Sequence, residues 1–182
     1  MTYYGGNRLA DSFRTVRKNT LTIAEEIPAA KYDFRAAPET RSVAQLLTHI
    51  AVAHMFQHQV HAVERRNTLE GFDFPSLLQR AHAEETKSRS KEEIIAMLRT
   101  NGEEFAKWLE TLPENFLAES VAMPPGGTPA VKSRFEMLLS VKEHEMHHRG
   151  QLMLIERMLG QVPHLTREMQ ARLAAMPAPA RA

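Results

Sequence analysis

The residues best equipped for chemistry are histidines. The chain has nine in 182 residues and no cysteine. Three fall in one short stretch, Lys142–Gln151 (KEHEMHHRGQ): His144, His147 and His148. On an α-helix, residues four apart stand one above the other, so His144 and His148 form a stacked pair. Met137, Val141, Leu152, Ile155 and Leu159 share their face at steps of three and four, the spacing of one buried stripe. Imidazoles on a core-facing stripe need polar partners. A divalent metal would serve both at once.

A third ligand is legible further upstream. Leu46, His49, Ala53, Phe56, Val60 and Val63 follow the same helical spacing, and His49 is the only polar member. Zinc and nickel both accept neutral imidazole, and three histidines leave a coordination position open. Such an ion activates water for hydrolysis, or holds a thiol as thiolate. Without cysteine, the sulfur would have to come from a low-molecular-weight cosubstrate. No side chain is assigned here as a general base.

Other histidines compete for attention. His54 and His58 form a second pair four apart and so a rival site, with His61 on the same flank. Their alternative is a hydrated surface or a subunit interface. His147 points roughly 100° away from His148 and is a poorer ligand for the same ion. Glu143 and Glu145 flank the motif and read as a solvated face, although either could orient a ligand. Arg149, Gly150 and Gln151 read as packing residues, and His82 and His164 carry no functional assignment. Two other classes of function stay open: a non-catalytic metal- or ligand-binding stress-response module, and a helical protein whose histidines are hydrogen-bonded in the core.

The elements that must position these residues are helices. Asn7 is placed to cap a first helix running to Glu26, with Leu9, Phe13, Val16, Thr20 and Ile23 inside. Ser42/Gln45, Ser90/Glu93 and Ser133/Glu136 are capping boxes that open three more. The first launches Val43–Arg66, the second a helix to Thr111, and the third the helix bearing His144 and His148, which Gly160 stops. Short helices are expected over Pro75–Thr86 and Thr166–Met176. The loop Glu114–Lys132 contains PPGGTP and an extended piece at Ser120–Met123, and such loops often lie over a site. No strand-period pattern of any length appears. The expected fold is an all-α four-helix bundle with short additional helices and a long loop before the last long helix. Residues 1–176 would form one domain and 177–182 a disordered tail.

Composition narrows the function. The net charge of +1, from 23 basic and 22 acidic residues, offers no footprint for nucleic acid or an anionic membrane. No apolar run approaches the length of a bilayer span. The first residues lack the pattern of a signal peptide, so a cytoplasmic location is expected.

The combination of SVAQLLTHI (Ser42–Ile50) with EHEMHHRGQL (Glu143–Leu152), the YDFR tetrad (Tyr32–Arg35) and LGQVP (Leu159–Pro163) resembles the DinB family of DinB/YfiT-like metalloenzymes. The resemblance spans nearly the whole chain, Leu9 to Leu165. It implies a four-helix bundle, commonly a homodimer, with one metal held by three histidines: His49, His144 and His148. It further implies a metal-dependent enzyme acting on a small molecule, with relatives that include transferases and an isomerase using low-molecular-weight thiols. His54, His58 and His61 lie outside the family pattern.

Overall fold

All three capping boxes form. Ser42, Ser90 and Ser133 each accept a hydrogen bond from the backbone N–H three residues on, and Gln45, Glu93 and Glu136 each accept one back from the capping residue's N–H. Each cap satisfies helix-end donors that would otherwise be orphaned and is worth about 1 kcal/mol. A computed structural model describes residues 4–176. It contains α1 (Gly6–Glu26), α2 (Val43–Val52), α3 (Met55–His58), α4 (Phe74–Thr86), α5 (Lys91–Glu110), α6 (Glu114–Ala118), β1 (Ser120–Ala122), β2 (Val131–Ser133), α7 (Arg134–Met158) and α8 (His164–Ala174). The expected tail at 177–182 lies outside the described residues.

The long elements α1, α2 with its continuation, α5 and α7 make a four-helix bundle. α1 packs on α5 and α7, and α2 packs on α5, α4 and α7. One apolar cluster (Ile23, Leu47, Ile50, Leu98, Leu152) fills one end of the bundle. A second (Phe13, Phe105, Leu109, Leu138, Val141) fills the other. The buried stripe of α7 passes from Val141 in one cluster to Leu152 in the other, and His144 and His148 lie between them. Among the described residues, no helix is long and apolar enough to cross a membrane.

Four expectations about the elements change. Gly5, not Asn7, precedes α1, and no side chain caps it. Gly6 is required by close approach, since a Cβ there would meet the Leu109 carbonyl oxygen at 2.4 Å. The helix read as Val43–Arg66 is interrupted after Val52, and Gln59–Val63 forms a π-helical turn. A π turn closes on the residue five back, as Glu64 N–H does on the Gln59 carbonyl at 2.9 Å. The wider turn rotates the later residues out of phase with the stripe. Val63 is therefore 59% exposed and His61 turns inward, while Val60 stays buried as the stripe placed it. The segment before α7 is more ordered than a loop: it carries α6 and an antiparallel hairpin pairing Ser120 with Ser133 and Ala122 with Val131. Finally, α8 starts at His164 rather than Thr166.

Candidate metal centre

His49 comes from the last turn of α2, and His144 and His148 from adjacent turns of α7. Their Nε2 atoms converge. His144 Nε2 stands 3.1 Å from His49 Nε2 and 3.1 Å from His148 Nε2. Among the described residues, these three form the group with metal-ligand geometry, their ligand atoms all lying within 4.8 Å of one another.

The partners of the outer nitrogens set the tautomers. His49 Nδ1–H donates to Glu85 Oε1 at 2.7 Å, and a carboxylate can only accept. His148 Nδ1–H donates to Gln151 Oε1 at 2.8 Å. Both Nε2 atoms therefore carry lone pairs, and both face His144 Nε2. One N–H on His144 could serve only one of them. Burial, and then the neighbouring histidines, push the His144 pKa down to about 4, and burial also lowers His49 and His148. Protonation therefore offers no relief near neutral pH. A cluster of acceptors short of donors is what a cation resolves. Nitrogens bound at about 2.0–2.1 Å to one ion stand roughly 3.0–3.4 Å apart, which the two 3.1 Å separations to His144 match. The donor set fits a borderline divalent metal.

Glu85 is itself held. Arg41 Nε donates to its Oε2 at 2.6 Å, and Glu85 is 8% exposed. Burial would raise the carboxyl pKa, but the hydrogen bonds from Arg41 and His49 outweigh it and hold the group ionised below its ordinary value. A cavity of about 560 Å³ opens beside this arrangement. The 35–41 segment and α4 form one wall, and Gln45, Leu46, His148 and Leu154 contribute to the other.

A DinB-family sequence model matches residues 2–176. The chain belongs to the DinB family. No curated protein matches the sequence. Among solved structures, the chain is similar to YfiT from Bacillus subtilis, described as a probable metal-dependent hydrolase with an unusual four-helix bundle topology. The two superpose with a TM-score of 0.66 at 15% identity, over 88% of this chain and 91% of that one. At such low identity the likeness speaks for the fold.

Within this DinB-family bundle, the remaining histidines separate. His54 lies against Phe105 and His58 against Trp108, and among the described residues no third ligand joins them. His61 is 1% exposed, donating from Nε2 to Gln57 Oε1 at 3.0 Å and accepting from Arg134 Nη1 at 2.9 Å. His147 is exposed, with Gln151 Nε2 3.3 Å from its Nε2.

The solvated reading holds for Glu143 but not for Glu145. Glu145 is 1% exposed and accepts from Arg17 Nε at 2.9 Å, on a flank of α7 roughly 60–100° round from the ligands. Gly150 is exposed with open space around it, so it marks no close helix approach. Gln151 orients a ligand rather than packing. The PPGGTP loop is not part of the cavity wall; the 35–41 segment takes that place. Arg41, Glu85 and Gln151 are the site residues that periodicity around the histidines missed. A signal for Glu85 existed, because Leu77, Ala81 and Glu85 share one α4 stripe at steps of four.

Proposed function

We propose that this DinB-family chain is a metal-dependent hydrolase of a small molecule, working at His49, His144 and His148. The observation that carries the reading is the convergence of three histidine Nε2 atoms beside an accessible cavity. YfiT, described as a probable metal-dependent hydrolase, supports hydrolysis over other uses of the site. One zinc or nickel ion, when bound, would polarise water enough to make it nucleophilic near neutral pH.

The protein's own contribution is positional. Arg41 fixes Glu85, Glu85 keeps the proton on His49 Nδ1, and Gln151 does the same for His148. These contacts hold both rings in the tautomer that offers Nε2 to an ion. Leu46, Leu154 and Ile155 give the cavity an apolar side that would partly exclude water from the substrate. Thiol transfer is the second reading: the chain has no cysteine, so a sulfur nucleophile would have to enter as a small molecule through the same cavity. A cytoplasmic, homodimeric protein suits either reaction.

The test is metal content by elemental mass spectrometry on untagged protein purified without chelator or metal resin. His148→Ala and His58→Ala variants run beside it. About one metal per chain, lost in H148A and kept in H58A, supports the site. Turnover of an ester and amide panel by the loaded protein would then establish hydrolysis, and turnover only with thiol and electrophile would establish transfer. Absence of bound metal in every sample overturns the reading, and a loaded protein inert in both panels identifies a binding module.

A further inference from the structure

The YDFR tetrad is not used by the metal ligands, yet its last residue stands at the cavity. Tyr32 is buried and its hydroxyl donates to the Ala24 carbonyl of α1 at 2.7 Å. The Tyr32 and Phe34 carbonyls accept from Ala44 N–H and Val43 N–H, at 2.9 Å and 3.0 Å. Arg35 itself bridges to Ser42 across the start of α2. The segment is thus pinned to two helices, and Arg35 is delivered to the cavity that His148 also lines.

Two guanidinium groups line that cavity, and they differ. Arg41 is spent on Glu85, with which it makes two hydrogen bonds. Arg35 makes one side-chain bond, from Nη1 to the Thr40 carbonyl, and has no carboxylate partner among the described residues. That single bond restrains the fork while leaving its other N–H donors available. The apolar wall offers a matching surface: Leu154 is 57% exposed and lines the same space with Leu46 and Ile155.

We infer that Arg35 is the specificity-determining residue of this cavity, gripping the anionic head of an amphiphilic substrate. The class is a small carboxylate whose apolar body lies along Leu46, Leu154 and Ile155 while its reacting group reaches the histidines. A guanidinium fork matches a carboxylate bidentately, which a backbone carbonyl alone does not exploit. Glu39 lines the cavity too, and its charge opposes the anion. This inference rests on the metal-centre reading for its reaction, but anion binding can be measured without the metal.

The experiment is an NMR titration of metal-free and zinc-loaded protein with hexanoate and with hexanamide, its uncharged counterpart. Wild type is compared with Arg35→Gln, Arg35→Lys and Glu39→Gln, and circular dichroism confirms the fold of each. In metal-free protein, hexanoate should bind more tightly than hexanamide. R35Q should weaken hexanoate roughly tenfold to hundredfold, the worth of one charged hydrogen-bonding partner. R35K should weaken it less, E39Q should tighten it, and hexanamide should be indifferent to all three. Equal affinity for the two probes, or hexanoate binding unchanged in R35Q, overturns the inference. So does hexanoate binding that needs zinc and ignores Arg35, because the ion would then be the anion site. If no zinc can be loaded, the metal-centre reading fails while the metal-free comparison still decides the role of Arg35.

Discussion

Glu85 accepts a hydrogen bond from His49 Nδ1 at 2.7 Å across 36 residues of sequence, joining the last turn of α4 to the last turn of α2. The contact fixes which nitrogen of His49 is free. Removing it should loosen the ring without removing a ligand. Glu85→Ala is expected to weaken metal affinity about 10- to 100-fold, with the helical content unchanged. Competition against a chromogenic chelator measures this. Wild-type affinity in E85A would show that His49 is oriented by packing alone.

The buried histidines predict an acid-sensitive metal-free protein. Burial, with Arg134 adding to it, pushes the His61 pKa down to about 4, and burial also pushes His54 down to about 4. In the unfolded chain each would titrate near about 6.5. Between those values the unfolded state binds more protons than the folded one, so stability falls as pH falls. The limiting slope is about 1.4 kcal/mol per pH unit for each such site. Chemical unfolding from pH 7 to pH 4 should show this loss, with a shallower fall in His61→Gln. A flat profile would contradict the buried, neutral state of His61.

Arg17 and Glu145 form an ion pair in which both side chains are buried, 5% and 1% exposed. Arg17 also donates to the Leu98 and Ile50 carbonyls, so one guanidinium ties together α1, α2, α5 and α7. Glu145→Ala should cost about 3–5 kcal/mol, because it strands a buried charge. Arg17→Met combined with Glu145→Met should recover much of that loss. Denaturant midpoints of the single and double variants test the pairing, and an E145A variant as stable as wild type would refute it.

Glu156 presents the opposite case. It is 0% exposed, and neither carboxylate oxygen has a partner among the described residues. Burial, and then the nearby Glu26, raise its pKa to about 7. The folded state therefore holds a proton that the unfolded chain releases at lower pH, and stability falls as pH rises toward and through 7. Glu156→Gln removes this penalty. Its Tm should exceed wild type at pH 8 by on the order of 5 °C and approach it at pH 5. Equal melting temperatures at pH 8 would mean that the carboxylate is solvated.

How much of this was legible in the residues alone depends on range. The capping boxes at Ser42, Ser90 and Ser133 are local hydrogen-bond patterns, so they set helix starts without help from the rest of the chain. The stripe through His144 and His148 is equally local, since helical periodicity alone puts both rings on one face. His49 stood out because it was the only polar member of an apolar stripe. Ligand candidates and the four-helix architecture could therefore be read before any tertiary contact was known.

Tertiary structure decided what periodicity cannot encode. The π-helical turn at Gln59–Val63 changed the phase of its helix, burying His61 and exposing Val63. The facing of Glu145 depended on Arg17, which lies 128 residues away. Arg41, Glu85 and Gln151 became site residues only when α4 and α7 both packed on α2. A single charged residue on a helix reads as solvated until a distant partner buries it, and that partner's position is a property of the packed chain. The sequence by itself determined which helix faces carry imidazoles. The folded bundle alone decided that three of them meet, and which groups hold them there.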